Sequence, residues 1–193
     1  WFPCVSTYST GEANKSGITV KADKTKTATA TVNVTLDNVT VDAREDASSE
    51  GATGGAGMTI QGNGVVNIEL DGKNELLAGD GHAGLEKNRT ESVGSLNIND
   101  SNEDGGSLTA IGGDGGAGIG GGKGDMGSGL YILNGTVNAY GKGGGAGIGG
   151  GDGAGAHMVG LNAGVPGVND AYEPTVTAVG SEGAAGIGGG KGG

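Results

Sequence analysis

The feature that most constrains this chain is a recurring tripeptide, alanine then glycine then an apolar residue. It stands at Ala56-Gly57-Met58, Ala83-Gly84-Leu85, Ala117-Gly118-Ile119, Ala146-Gly147-Ile148 and Ala185-Gly186-Ile187, at spacings of 27, 34, 29 and 39 residues. Self-similarity on that scale marks a repeat architecture, in which a unit too small to bury its own apolar face is covered by its neighbours. The unequal spacings suit coils that keep their strands and vary their turns.

Two further segments recur upstream of each tripeptide. One is apolar-x-Ala: Val41-Asp42-Ala43, Leu76-Leu77-Ala78, Leu108-Thr109-Ala110, Val137-Asn138-Ala139 and Val176-Thr177-Ala178. The other is Val32-Asn33-Val34, Val66-Asn67-Ile68, Leu96-Asn97-Ile98, Leu130-Tyr131-Ile132 and, in weaker form, Val159-Gly160-Leu161. Apolar and polar residues alternate within each segment, the period of a strand with one buried face, and Gly, Asn and Asp clusters separate them. Helical periodicity is absent. Three segments per repeat predict three faces per coil, and so an all-β fold: a right-handed parallel β-helix of about five coils with three short strands each.

Stacking in register predicts that Val, Leu, Ile and a column of alanines (Ala43, Ala78, Ala110, Ala139, Ala178) point inward. Asn33, Asn67, Asn97 and Tyr131 then form an outward ladder, with neighbours ~4.8 Å apart. A second outward column, Asp42, Leu77, Thr109, Asn138 and Thr177, is too mixed for the regular threonine array that ice binding would need. The glycine of the tripeptide is expected to supply backbone angles closed to other residues, while its alanine and apolar residue fill a tight inner corner.

Composition agrees with a narrow core, since 193 residues with 48 Gly and a single Phe cannot build one from large side chains. Residues 1–30 read as a cap or lead-in, with the Thr27-Ala28-Thr29-Ala30-Thr31 run as the approach to the first full coil, and 31–193 as the β-helix. The closing Gly188-Gly189-Gly190-Lys191-Gly192-Gly193 copies the earlier Gly120-Gly121-Gly122-Lys123-Gly124, so the array is expected to be truncated at its C-terminus. Open strand edges at the ends of such a stack invite self-association. A net charge of −11 argues against nucleic acid and anionic membranes, which need a basic footprint. No apolar run approaches the ~20 residues of a membrane-spanning helix. Cys4 is the sole cysteine, so there is no intrachain disulfide.

The run Gly116-Ala117-Gly118-Ile119-Gly120-Gly121-Gly122, repeated at 145–151 and nearly so at 184–190, resembles the repeats of large surface proteins of Gram-positive bacteria. The stretch from Val65 to Glu86 resembles the β-helical carbohydrate-binding proteins of clostridia. That resemblance implies a right-handed β-helix, calcium sites and affinity for acidic or cellulosic polysaccharides. It also implies a bacterial protein that is secreted or on the cell surface.

Several residues are candidates for chemistry. Three positions before each corner alanine stand Thr53, Asp80, Asp114, Gly143 and Glu182. Stacked coils would make Asp80 and Asp114 near neighbours, and like charges at that spacing repel unless a cation sits between them. Calcium takes six to eight oxygen ligands from carboxylates and turn carbonyls, so Asp80, Asp114 and Asp104 are the candidate ligands, with Asp100 and Glu103 in the same turn as Asp104. The alternative is that Asp-Gly is simply turn chemistry. Sugar binding calls on planar amides and aromatic platforms: Asn33, Asn67, Asn97, Tyr131, Tyr140 and, in the long insert before the last corner, Tyr172. His82 and His157 lack any transition-metal spacing and read as surface residues.

Polysaccharide lyases and hydrolases also use this fold, but Arg44 and Arg89 are the only arginines and both fall in predicted turns, so the chain does not read as an enzyme. The leading expectation is a carbohydrate-binding or adhesive module acting on a polysaccharide or cell-surface glycan, with calcium assisting. A structural stalk or filament segment is the alternative. A phage receptor-binding protein or polysaccharide lyase follows behind.

Overall fold

The computed structural model describes residues 5–8, 17–23, 30–44, 54–161 and 173–193. Two strands come first, β1 (Val5–Tyr8) and β2 (Ile18–Lys21). Five coils of three strands follow. The first holds β3 (Thr31–Asp37), β4 (Thr40–Asp42) and β5 (Met58–Gln61), and the second β6 (Val65–Asp71), β7 (Lys73–Leu77) and β8 (Leu85–Glu86). The third holds β9 (Ser95–Asn99), β10 (Ser107–Asp114) and β11 (Ile119–Gly120). The fourth holds β12 (Gly127–Ile132), β13 (Thr136–Lys142) and β14 (Ile148–Gly149), and the fifth β15 (Ala156–Leu161), β16 (Thr175–Val179) and β17 (Ile187–Gly188). Among the described residues there is no helix.

The strands stack into three parallel sheets, ordered β1-β3-β6-β9-β12-β15 on the first face, β4-β7-β10-β13-β16 on the second and β2-β5-β8-β11-β14-β17 on the third. This is the right-handed parallel β-helix with three strands per coil that the repeats predict. The lead-in is part of the stack, because β1 pairs with β3 and β2 with β5.

Inside, the apolar residues of the repeats form continuous columns. Val66, Leu96 and Leu130 lie in one register, and Ile68, Ile98 and Ile132 in the next. The corner residues Met58, Leu85, Ile119 and Ile148 stack on the third face, and all are buried. Each such side chain contributes about 1.5–3 kcal/mol through burial, which no single coil achieves without the coils above and below.

The corner glycine is explained differently from the expectation. Gly57, Gly84, Gly118 and Gly147 do not have positive φ, whereas the glycines two residues after the last two, Gly120 and Gly149, do, at 135° and 138°. What forbids a side chain at the corner is the second face passing behind it. A Cβ on Gly118 would lie 2.4 Å from the Tyr140 backbone nitrogen, and one on Gly147 2.5 Å from that of Val179. The corner closes when the alanine N–H donates to a carbonyl four residues on: Ala117 to Gly121 at 3.1 Å, Ala146 to Gly150 at 3.0 Å and Ala185 to Gly189 at 3.0 Å.

The second face departs from the expected register. Val41 pairs with Leu76, but Leu76 pairs with Ala110 rather than with Leu108. The alanine column therefore contains only Ala110, Ala139 and Ala178, while Ala43 and Ala78 lie beyond the strands and donate N–H to Leu77 and Ile111. The cause is Asn74. It takes the inward place opposite Leu108, where its amide donates to the carbonyls of Asp71 and Ser107, each at 3.1 Å, and accepts from the Val39 N–H at 2.9 Å. An asparagine that satisfies three backbone groups can sit in the core, which alternation alone does not reveal. The outward column becomes Thr40, Glu75, Thr109, Asn138 and Thr177, and Leu77 stacks with Ile111, Tyr140 and Val179.

Candidate ligand-binding faces

The first face carries the predicted amide ladder in the predicted register. Asn33, Asn67 and Asn97 are stacked partners, and Tyr131 continues the column above Asn97. Asn67 donates Nδ2–H to Asn33 Oδ1 at 2.8 Å, and Asn97 donates to Asn67 Oδ1 at 2.8 Å. The strands set the side chains one coil apart, and each amide thereby fixes the orientation of the next. Asn67 uses one donor and one lone pair in the ladder and keeps a second N–H and a second lone pair.

Asn33, Asn67 and Asn97 line a cavity of about 250 Å³, with Thr35, Glu69 and Asn99 in the adjacent outward column and Leu133 beside them. Glu69 anchors the turn after β9 over this face, accepting from Ser101 N–H at 2.6 Å, Ser101 Oγ–H at 2.8 Å and Asn102 N–H at 3.3 Å. Sequence reading singled out the asparagines but not Glu69, whose role depends on a turn contributed by the next coil.

Tyr140 lies on the second face, stacked between Ile111 and Val179, so the two tyrosines do not form one platform. Tyr172 lies outside the described residues.

The predicted metal ligands likewise divide. Asp80 and Asp114 are near neighbours, as expected, with the Asp114 N–H donating to Asp80 Oδ1 at 3.2 Å. They share a cavity of about 320 Å³ with Arg44 and Lys142. Arg44 is held by Asp42 through two bonds of 2.8 and 2.9 Å. Asp104 lies elsewhere, in the turn over the first face, where its carboxylate accepts from Asn102, which also bonds Asp71. Among the described residues, no three His, Cys, Asp or Glu side chains form a ready-made metal cage.

One buried polar group was not foreseen. Where later coils read Gly-Gly-Gly after the corner isoleucine, the second coil reads Glu86-Lys87-Asn88, and all three are buried. Glu86 Oε2 accepts the Ala83 N–H at 3.0 Å, so a side chain replaces the carbonyl that closes the later corners. The same carboxylate accepts from Asn88 at 3.2 Å and from His82 at 3.0 Å. His82 is thus tethered rather than a free surface residue, and its bond to Glu86 holds the imidazole pKa above its ordinary value. Lys87, 0 % exposed, donates to the carbonyls of Ser128 at 2.7 Å and Ser92 at 3.2 Å. Its burial pushes the ammonium pKa down to about 8. The signal in the sequence was the interruption of the glycine run itself.

No curated protein and no solved structure matches the chain. A family model described as a beta helix repeat matches residues 104–123, 130–152 and 174–191. Those three segments hold β10 and β11, then β13 and β14 with the last half of β12, then β16 and β17, so the matches fall mainly on the second and third faces of the last three coils.

Proposed function

We propose that this β-helix is a carbohydrate-binding or adhesive module, secreted or displayed on a bacterial surface, that holds a polysaccharide along its first face. The observation that supports this is the oriented amide ladder. Asn33, Asn67 and Asn97 present donors and acceptors at one fixed repeat along a groove, with Tyr131 at its end. A chain of sugar hydroxyls meets such an array with little reorganisation, because the amides already hold one another in place. The relation to clostridial carbohydrate-binding proteins and to the Gly-Ala-Gly-Ile-Gly-Gly-Gly surface repeats belongs to the same reading. Self-association through the helix ends does too, since an open strand edge of such a stack can pair with another chain.

The test is a glycan array probed with the whole chain, in calcium and in EDTA, followed by the N67A/N97A variant on any positive glycan. Binding that falls by about tenfold or more in the variant supports the reading. Silence of every glycan at high protein concentration points to a stalk or filament segment instead. Shortening of the polysaccharide during incubation would make the chain a lyase or hydrolase. Undiminished binding by the variant removes the first face from the account.

A further inference from the structure

The corner at the end of the second face gathers charge of both signs from four successive coils. Arg44 of the first coil, Asp80 of the second, Asp114 of the third and Lys142 of the fourth are all exposed and line one cavity of about 320 Å³. Asp114 and Lys142 are register partners across β10 and β13, yet no ion pair joins them, and Asp80 has none either. Arg44 gives Asp42 two of the five N–H groups of its guanidinium, which leaves three free. Charges of both signs therefore face one space without neutralising each other.

The two carboxylates are set in place by the backbone. Asp80 accepts the Asp114 N–H at 3.2 Å, and a side chain at Gly143, the equivalent position one coil on, would collide with the Asp114 carboxylate. Like charges one coil apart repel unless a cation lies between them. A metal ion fits poorly: calcium takes six to eight oxygens, no three His, Cys, Asp or Glu side chains among the described residues are grouped to hold one, and Arg44 and Lys142 would repel it. An organic ammonium asks only for acceptors for its three N–H groups. The volume agrees, because small-molecule sites occupy about 300–1,000 Å³ and a single water only about 30 Å³. Beside the cavity, three residues before Asp114 and two before Lys142, Ile111 and Tyr140 stack as an outward, half-buried apolar strip on which a sugar ring can rest.

We propose that this corner binds a zwitterionic sugar residue, one that carries both an ammonium and a carboxylate. Asp80 and Asp114 take the ammonium, Lys142 and the free N–H groups of Arg44 take the carboxylate, and the ring lies against Ile111 and Tyr140. The arrangement selects by charge. A purely acidic sugar meets two aspartates and a purely basic one meets Lys142, so each loses a pairing and gains a repulsion. This is a second ligand site, on a different sheet from the asparagine ladder, and it stands whether or not that ladder binds a glycan.

The experiment is calorimetric titration of the whole chain, in EDTA and at about pH 6, where sugar amines are protonated. Four oligosaccharides serve as probes: N-deacetylated hyaluronan with ammonium and carboxylate, intact hyaluronan with carboxylate only, chitosan with ammonium only, and chitin with neither. N-deacetylated hyaluronan should bind tightest and the other three about tenfold more weakly or worse, and its binding should weaken as salt is raised from about 50 to 500 mM. D80N/D114N, which keeps an acceptor for the backbone N–H of residue 114, should erase the preference over intact hyaluronan. K142Q should narrow the preference over chitosan, and N67A/N97A should bind like wild type. The three charged residues replaced here are exposed, so these variants should fold. No binding of N-deacetylated hyaluronan, equal binding of the intact polymer, full binding by D80N/D114N, or loss of binding in N67A/N97A would each overturn the proposal.

Discussion

Replacing the corner glycine of the third coil by alanine is the most direct probe of what closes the coils. In G118A the new Cβ would lie 2.4 Å from the Tyr140 nitrogen and 2.8 Å from both the Ala139 carbonyl carbon and the Gly147 oxygen. Non-bonded heavy atoms rest near 3.5–4.0 Å, so something must move by about 1 Å. All three contacts are backbone, and Tyr140 belongs to β13, which is paired on both sides, with β10 and with β16. Overpacking of this kind costs about 1–3 kcal/mol, and each ladder hydrogen bond weakened by the shift adds about 1 kcal/mol, giving roughly 3–4 kcal/mol in all. Two controls separate sterics from backbone conformation. Gly124 has φ +79° but open space around its Cβ position, so G124A should cost only about 1 kcal/mol. Gly55 has neither a positive φ nor a neighbour within 4 Å, so G55A should be neutral or stabilise by up to about 1 kcal/mol. Guanidinium unfolding followed by far-ultraviolet circular dichroism should rank the midpoints G55A, wild type, G124A, G118A, from highest to lowest. A midpoint for G118A at or above that of G124A would refute close approach as the reason for the glycine.

Two further expectations concern the buried polar residues of the second coil. Lys87 has a folded pKa of about 8 against an ordinary 10.5, so between those values the unfolded chain binds more protons and stability rises with pH. Measured against K87M, the wild type should gain up to about 3 kcal/mol between pH 8 and 10.5, with no further gain above; a flat difference would mean that the ammonium is not penalised in the fold. The His82 pKa is raised by its bond to Glu86, so that pair stabilises the fold below the ordinary histidine pKa and the contribution fades as pH climbs through the raised value. Proton NMR should show the His82 titration falling toward the ordinary value in E86A. That variant also strips the Ala83 N–H of its acceptor and should lose about 1–3 kcal/mol, and an unchanged His82 titration would sink the assignment.

Much of the architecture was legible because it is written in short-range patterns. Alternation inside each segment marks which residues face inward, and the spacing of the Ala-Gly-apolar corners counts the coils. The stacking of Asn33, Asn67 and Asn97 followed from aligning those segments, and the strands pair in that register. The metal and tyrosine candidates were harder to group. Similar positions in a repeat do not reveal that Asp104 sits in a turn over the first face, or that Tyr140 lies a face away from Tyr131.

By itself, then, the sequence determined the fold class, the three strands per coil, the buried columns of the first and third faces and the outward amide ladder, since each depends on periodicity within a few residues and on repetition of that period. The tertiary structure decided the rest. Contacts between coils join residues about 30 positions apart, and their outcome depends on what lies above and below. Asn74 takes a core position because three backbone groups of its surroundings need partners, and it thereby resets the register of the second face. Corner glycines are required by a strand passing behind them, not by their own φ. Glu86 and Lys87 are buried because backbone N–H and carbonyl groups await them, and Asp100 is left with one oxygen that nothing in its own turn satisfies.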